Sequence, residues 1–108
     1  MAGEGPDPVV VTKVAQIERC LTRVHDEYGD GVAFASDVTR QDAAMLNLLR
    51  ACETSIDLAM HLVRVLRLGV PRRSRDAFAE LVRAGILDER VGADLQRMAG
   101  FRNLAVNR

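Results

Sequence analysis

The chain has no tryptophan, one tyrosine and only two cysteines in 108 residues. Neither Cys20 nor Cys52 has a partner at metal-ligand spacing, and both fall on apolar helical stripes. We therefore expect buried free thiols, no metal and no cofactor. No apolar run is long enough to span a membrane and no secretory signal is visible, so a reducing cytoplasm is the expected location.

Lysine is also nearly absent, whereas arginine occurs at fourteen positions. The net charge is zero, but residues 1–60 hold five Lys/Arg and ten Asp/Glu, and residues 61–108 hold ten Arg and five Asp/Glu. An excess of about five positive charges in the C-terminal half indicates an anionic partner for that half. A solvated surface, with an arginine bias inherited from a GC-rich genome, is the alternative.

Alternating strand-like patterns are scarce, and apolar residues recur instead at helical spacing. The first helix is predicted from about Val9 to Tyr28, with Gly29 as its stop. The second is predicted from about Val38 to Leu68, capped by Ser36 or Asp37. Its apolar stripe comprises Met45, Leu48, Leu49, Cys52, Ile56, Ala59, Met60, Val63 and Leu66.

Two shorter helices are predicted after the proline turn. Ser74 is expected to cap the third helix and Gly85 to close it, and Asp88 is expected to cap the fourth. The third carries Ala77, Phe78, Leu81 and Val82, and the fourth carries Val91, Leu95, Met98, Arg102 and Ala105. The sequence therefore predicts an all-α four-helix bundle with a short third helix, as a single domain over residues 9–108 behind a disordered leader, residues 1–8.

Arg102 interrupts the apolar stripe of the fourth helix. Because a guanidinium keeps its charge in proteins, it must meet a carboxylate, reach water or line a cavity. One interpretation is a structural ion pair with Asp57 or Glu53. The other is an anion site, in which the planar fork suits phosphate and Asn103 and Asn107 share the neighbouring helix face.

The segment "MAGFRNLAVNR" resembles the end of the HepT-like proteins of the HEPN superfamily, which carry an Arg-x4-His-x-Tyr signature. "DAAMLNLLRACETSIDLAMHLVR" is similar to the long central helix of that family, and "LGVPRRSRDAFAELVRAGIL" to its proline turn and short helix. The resemblance covers about residues 10–108. It implies an all-α, typically dimeric ribonuclease toxin of a bacterial toxin–antitoxin pair. Its partner is an MntA-like minimal nucleotidyltransferase that silences the toxin by transferring AMP onto the signature tyrosine.

Carried over by position, Arg102 matches the signature arginine and Asn103 the polar residue that follows it. The signature histidine falls on Asn107, and the tyrosine would be residue 109, one beyond Arg108. Metal-independent RNA cleavage needs one group to take the 2′-hydroxyl proton and one to protonate the leaving oxygen. Asparagine does neither at neutral pH, so the chain is expected to be nearly inactive, either as an engineered form or as a natural degenerate copy.

Three functions remain open from the sequence. The leading one is a catalytically defective HepT-like toxin, dimeric, with Arg102 and Asn107 lining a cleft and Asn103, Arg72 and Arg73 binding RNA. The second is a non-catalytic helical module that binds a nucleotidyltransferase, and the third is a plain structural bundle. His25 and His61 are expected to be solvated and boundary residues, respectively, rather than catalytic groups.

Overall fold

The computed structural model describes residues 5–106, and all regular secondary structure in that range is helical. The helices are α1 (Pro8–Tyr28), α2 (Val38–Val65), α3 (Ser74–Arg83) and α4 (Glu89–Val106), with a 3₁₀ turn at Phe34–Ser36. The predicted all-α class with a short third helix is confirmed, since α3 has ten residues. No helix in this range combines the length and the apolar character needed to cross a bilayer.

The chain divides into two compact units, Met1–Ser55 and Ile56–Arg108, and α2 continues through the boundary. The first unit holds α1, the 3₁₀ turn and the first part of α2. The second holds the rest of α2 with α3 and α4. The single domain over residues 9–108 stays a prediction. Residues 1–4 of the predicted leader lie outside the described residues, whereas Asp7 caps α1 and Pro8 is its first residue.

Capping interactions fix both ends of α1. The carboxylate of Asp7 accepts a hydrogen bond from the N–H of Val9 at 2.8 Å, so the helix begins at Pro8, one residue before the predicted start. Gly29 ends it as predicted, with φ at 58° and its N–H donated to the carbonyl of His25 at 3.0 Å. Positive φ is a conformation that glycine adopts without steric cost.

The start of α2 is tied to the end of α1 through Arg40. The carboxylate of Asp37 caps α2 by accepting from the N–H of Arg40 at 3.1 Å, which selects Asp37 over Ser36 as the cap. The Arg40 guanidinium donates to the carbonyl of Glu27 at 3.3 Å. These bonds satisfy backbone groups that a helix end would otherwise leave to water.

The buried face of α2 within the first unit differs from the predicted stripe. Ala44, Asn47, Ala51 and Cys52 are buried, whereas Met45 is exposed. Asn47 tolerates burial because its side-chain amide donates to the carbonyl four residues earlier at 3.0 Å. Cys52 was on the predicted stripe, and its burial is confirmed. The apolar pattern missed Ala44, Asn47 and Ala51 because small or polar residues carry little weight in a hydrophobic period.

The core of the second unit is formed by α2, α3 and α4. Its buried members are Ile56, Ala59, Val63, Ala77, Phe78, Leu81 and Ala99. The predicted stripes of α2 and α3 are therefore confirmed here, since all of these except Ala99 were on them. Met98 and Leu95 of α4 pack against this core while remaining partly exposed.

The C-terminus of α2 lies at Val65 rather than at the predicted Leu68, because the helix ends in a reversed turn built without glycine. Arg67 adopts φ of 56°, the N–H of Leu68 donates to the carbonyl of Val63 at 2.9 Å, and that of Arg67 donates to the carbonyl of Arg64 at 3.1 Å. This is the hydrogen-bond pattern of a Schellman motif, and Leu68 packs back on the core. A side chain in the left-handed region costs roughly 1–2 kcal/mol, which glycine avoids.

Arg67→Gly is expected to raise the free energy of unfolding by about 0.5–1 kcal/mol, because the relief of strain exceeds the extra freedom glycine gives the unfolded chain. Arg67→Ala is the control, since it removes the same guanidinium but keeps the Cβ. Urea unfolding measures both variants. Equal stability of the two variants would contradict the assignment of strain to the backbone.

The predicted cap of α3 is wrong, and the predicted cap of α4 is confirmed. Ser74 is the first residue of α3 and not its cap. Arg73 occupies the cap position, and its N–H donates to the carboxylate of Asp76 at 3.1 Å. Asp88 caps α4 as predicted, accepting from the N–H of Val91 at 2.8 Å. A carboxylate at the third helical position serves the helix start as well as a serine at the cap does.

The close packing of α3 against α4 depends on Gly92. A Cβ placed on Gly92 would lie 2.2 Å from Cγ2 of Val82. The contact face of α4 therefore runs through Gly92 and Ala99, and the predicted stripe residue Val91 is exposed. A glycine in a helix interior carries a cost of its own, which close helix packing offsets.

Gly92→Ala is expected to lower the free energy of unfolding by about 1–3 kcal/mol, because Val82 must leave its preferred rotamer to admit the methyl group. Gly100→Ala on the same helix is the control. Its Cβ meets nothing within 4 Å, so we expect stabilisation by about 0.5–1 kcal/mol. Urea unfolding of both variants, with Val82→Ala as the partner change that rescues Gly92→Ala, checks this packing. Stabilisation by Gly92→Ala would show that the two helices do not meet here.

Candidate functional site

Helix α4 places Arg102 and Asn103 at the edge of its buried face. Ala99, one turn earlier, has no exposed surface, and Met98 packs against the core. Arg102 and Asn103 are both half-buried. Nη1 of Arg102 donates a hydrogen bond to Oδ1 of Asn103 at 3.0 Å. This hydrogen bond joins Arg102 and Asn103, two of the three predicted site residues of α4.

This contact gives the guanidinium a defined orientation. The acceptor in this bond is a neutral amide oxygen. A guanidinium carries five N–H donors in a planar fork, and an amide nitrogen carries two. Donors in a planar fork match the oxygens of a phosphate. An anion site at Arg102 and Asn103, and pairing of Arg102 with Asp57 or Glu53, both stay predictions.

Asn107, the third predicted site residue, lies outside the described residues. Position 107 is five residues beyond Arg102, which corresponds to about 140° around an ideal helix of 3.6 residues per turn. A site that uses both positions therefore forms more easily from two facing copies of α4 than from one. The geometry of Asn107 stays a prediction.

Next to Arg102, α4 presents large apolar side chains to the surface. Phe101 is 43% exposed and Leu104 is 74% exposed. Phe101 falls off the predicted apolar stripe of α4, so the helical pattern does not identify it. Exposed large apolar groups beside a polar cluster are typical of a protein contact surface.

The other candidate residues lie apart from α4 in sequence and are mostly exposed. Arg72 and Arg73 are exposed in the turn before α3. His25 is exposed and His61 is half-buried, as their positions predicted. In the described part of the chain, no group of three or more His, Cys, Asp or Glu residues is placed to hold a metal ion.

Comparison with known proteins gives one family and a consistent set of relatives. Residues 15–108 match the family described as HepT-like ribonucleases. The mRNA nuclease HepT of Shewanella oneidensis is 41% identical over 99 residues, which are 92% of this chain and 74% of that protein.

Solved structures resemble the fold over nearly the whole chain. The tri-AMPylated Shewanella oneidensis HEPN toxin, in complex with MNT antitoxin, has a TM-score of 0.88 and 40% identity, covering 94% of this chain and 76% of that one. A toxin–antitoxin complex with AMP-PNP has a TM-score of 0.87 and 41% identity, covering 93% and 76%.

Proposed function

The chain belongs to the family of HepT-like ribonucleases, and from this membership we propose that it is the ribonuclease subunit of a bacterial toxin–antitoxin pair. The observation that carries the proposal is the Arg102–Asn103 pair. The hydrogen bond to Asn103 orients the guanidinium of Arg102, the residue that matches the signature arginine by sequence. RNA is the proposed substrate.

The proposed reaction is cleavage at phosphorus without a metal. A base takes the proton of the ribose 2′-hydroxyl, the 2′-oxygen bonds to phosphorus, and the 5′-oxygen leaves with a proton from an acid. The products are a 2′,3′-cyclic phosphate and a free 5′-hydroxyl. Arg102 stabilises the charge that develops on the phosphoryl oxygens. The acid–base role belongs to a histidine at position 107, where this chain has Asn107.

We propose a nucleotidyltransferase antitoxin of the MntA type as the partner. The similar Shewanella toxin is AMPylated and bound to an MNT antitoxin. In the family signature the tyrosine that accepts AMP would follow Arg108 directly. The antitoxin would approach the end of α4, next to Arg102, so that the modification lies beside the catalytic group it blocks.

We further propose a homodimer in which two α4 helices face one another, in the cytoplasm. The exposed Phe101 and Leu104 flank Arg102 and supply the apolar surface that such a contact needs. Positions 102 and 107 point about 140° apart on one ideal helix, so a second, facing α4 helix would let one site use both positions.

A non-catalytic module that binds the nucleotidyltransferase is the second candidate, and Asn107 is the observation that favours it. An asparagine keeps the hydrogen-bonding capacity of the position and loses the proton transfer. RNA cleavage by the chain before and after Asn107→His, in forms with and without one added C-terminal tyrosine, separates the two candidates. Absence of cleavage by all four folded forms would favour the module.

A further inference from the structure

The second unit carries a run of arginines with no carboxylate between them. Residues 58–75 contain five arginines and neither aspartate nor glutamate. We define the basic surface as these five exposed residues, which span the end of α2, the turn and the start of α3: Arg64, Arg67, Arg72, Arg73 and Arg75.

Within residues 5–106, none of the five guanidinium groups of the basic surface makes a hydrogen bond or an ion pair. Arg40, Arg83 and Arg97 all contact a carboxylate in the same range. Because unpaired guanidinium groups in one short segment repel each other, such a cluster destabilises the free protein slightly and is offset by a bound polyanion.

Two carboxylates at the α3 end of this segment are already engaged. Asp76 accepts the N–H of Arg73 at the start of α3. Glu80 lies near the turn, with its carboxyl carbon 4.0 Å from the Cβ position of Gly69, and it is paired with Arg83. The start of α3 adds the positive end of its helix dipole on the same side.

The register of α3 on α4 places the basic surface at the level of Arg102. The helices are joined by five residues, 84–88, and meet where Val82 packs on Gly92, so they run antiparallel. Ser74 lies eight residues before Val82, about 12 Å along α3, and the same length along α4 from Gly92 ends at Gly100. The turn that precedes Ser74 therefore lies beside the α4 segment that carries Arg102.

We propose that the basic surface binds the phosphate backbone of RNA without reading its sequence and guides the strand to Arg102. This inference rests on the proposed nuclease function. Residues 58–75 contain no phenylalanine, tyrosine or tryptophan on which a base could stack. Contacts from exposed arginines to phosphates position a nucleic acid but carry no base information. Base preference, where the enzyme has any, then arises at the cleavage site itself.

The test is RNA binding by the unaltered chain, which carries Asn107 and is expected to leave the probe intact. Fluorescence anisotropy measures the affinity for 20-nucleotide oligouridine and oligoadenosine between 50 and 300 mM KCl. The triple variant Arg72→Ala, Arg73→Ala, Arg75→Ala is expected to weaken binding at least tenfold. It should reduce the slope of log K against log salt by about 2, since each phosphate contact to a single strand contributes about 0.7.

The matched control removes the same charge from another surface of the same unit. Arg83→Ala, Arg90→Ala, Arg97→Ala changes three exposed arginines of α3 and α4, and we expect affinity within twofold of the parent. The two oligonucleotides are expected to bind within threefold of each other. Equal weakening by both triple variants, or a preference above tenfold between the oligonucleotides, would overturn the proposal.

Anionic membrane is the competing class of partner, because Val70 in this turn is 93% exposed. If the chain binds phosphatidylserine vesicles through Arg72, Arg73 and Arg75 and does not bind RNA, the RNA proposal is overturned and a membrane is the partner. Cleavage by the Asn107→His chain keeps the two claims apart. If the Asn107→His chain cleaves RNA but the triple variant binds RNA as well as the parent does, this inference alone is contradicted. If the triple variant loses RNA binding but the Asn107→His chain does not cleave RNA, only the nuclease function is contradicted.

Discussion

Asn107→His, with the chain still ending at Arg108, is expected to raise the rate of RNA cleavage by roughly a hundred- to ten-thousand-fold. The imidazole titrates near neutral pH, so it alternates between taking the 2′-hydroxyl proton and protonating the leaving oxygen. The amide of Asn107 exchanges no proton in this range. Single-turnover cleavage of a labelled oligonucleotide, followed by identification of the 2′,3′-cyclic phosphate, measures the gain and the reaction type.

The control separates the histidine from the tyrosine of the signature. A tyrosine added after Arg108, with Asn107 unchanged, is expected to supply an acceptor for AMP and no cleavage. Neither change alters a residue of the described core of the second unit, so circular dichroism should show the same helix content in all forms. Restored cleavage from the tyrosine alone would contradict the assignment of proton transfer to position 107.

Arg102→Ala in the Asn107→His chain is expected to lower kcat by about a hundred- to a thousandfold, the usual effect of removing one donor to a developing oxyanion. Arg102→Lys should recover only part of the loss, because an ammonium keeps the charge but lacks the planar fork. The hydrogen bond to Oδ1 of Asn103 presets the orientation of that fork. Cleavage kinetics at saturating RNA measure kcat apart from binding.

A structural role for Arg102 predicts a different outcome. If the guanidinium serves mainly to neutralise a buried carboxylate, Arg102→Ala costs about 3–5 kcal/mol of stability. Urea unfolding decides between the two roles. Arg97→Ala on the same helix is the control for both measurements, since Arg97 is exposed and paired with Asp94. A stability loss of that size with unchanged kcat would contradict the active-site assignment.

The sequence predicted the helices and most of the second core because large apolar side chains reveal a helical period. Ile56, Val63, Phe78 and Leu81 were found in this way, and all are buried. The contact face of α4 differs from its predicted stripe, because α4 approaches α3 most closely at Gly92, which has no side chain. A hydrophobic pattern does not detect a contact made by an absent Cβ.

The same limit explains the end of α2. The predicted end at Leu68 lies just before Gly69, and glycine is the usual residue in a left-handed C-terminal turn. The chain makes that turn two residues earlier, at Arg67, so that Leu68 folds back on the core. Tertiary packing of Leu68 outweighs the local preference of Arg67.

The candidate site was predicted to a similar depth. A charge on an apolar stripe identified Arg102, and its neighbour Asn103 proved to be its hydrogen-bond partner. The exposed Phe101 and the register that brings the basic turn to the level of Arg102 required the structure. Such features depend on how α3 lies on α4, which residue spacing within a single helix does not specify.

The left-handed Arg67 has a consequence for how this protein evolves. Every arginine codon of the CGN type becomes a glycine codon by a single base change, so the more stable residue is one mutation away. Natural proteins stay only as stable as function demands, and strained residues persist where they serve a purpose. Selection for a positive charge at this turn would keep the arginine, and lineages that lose RNA binding would then drift towards glycine at position 67.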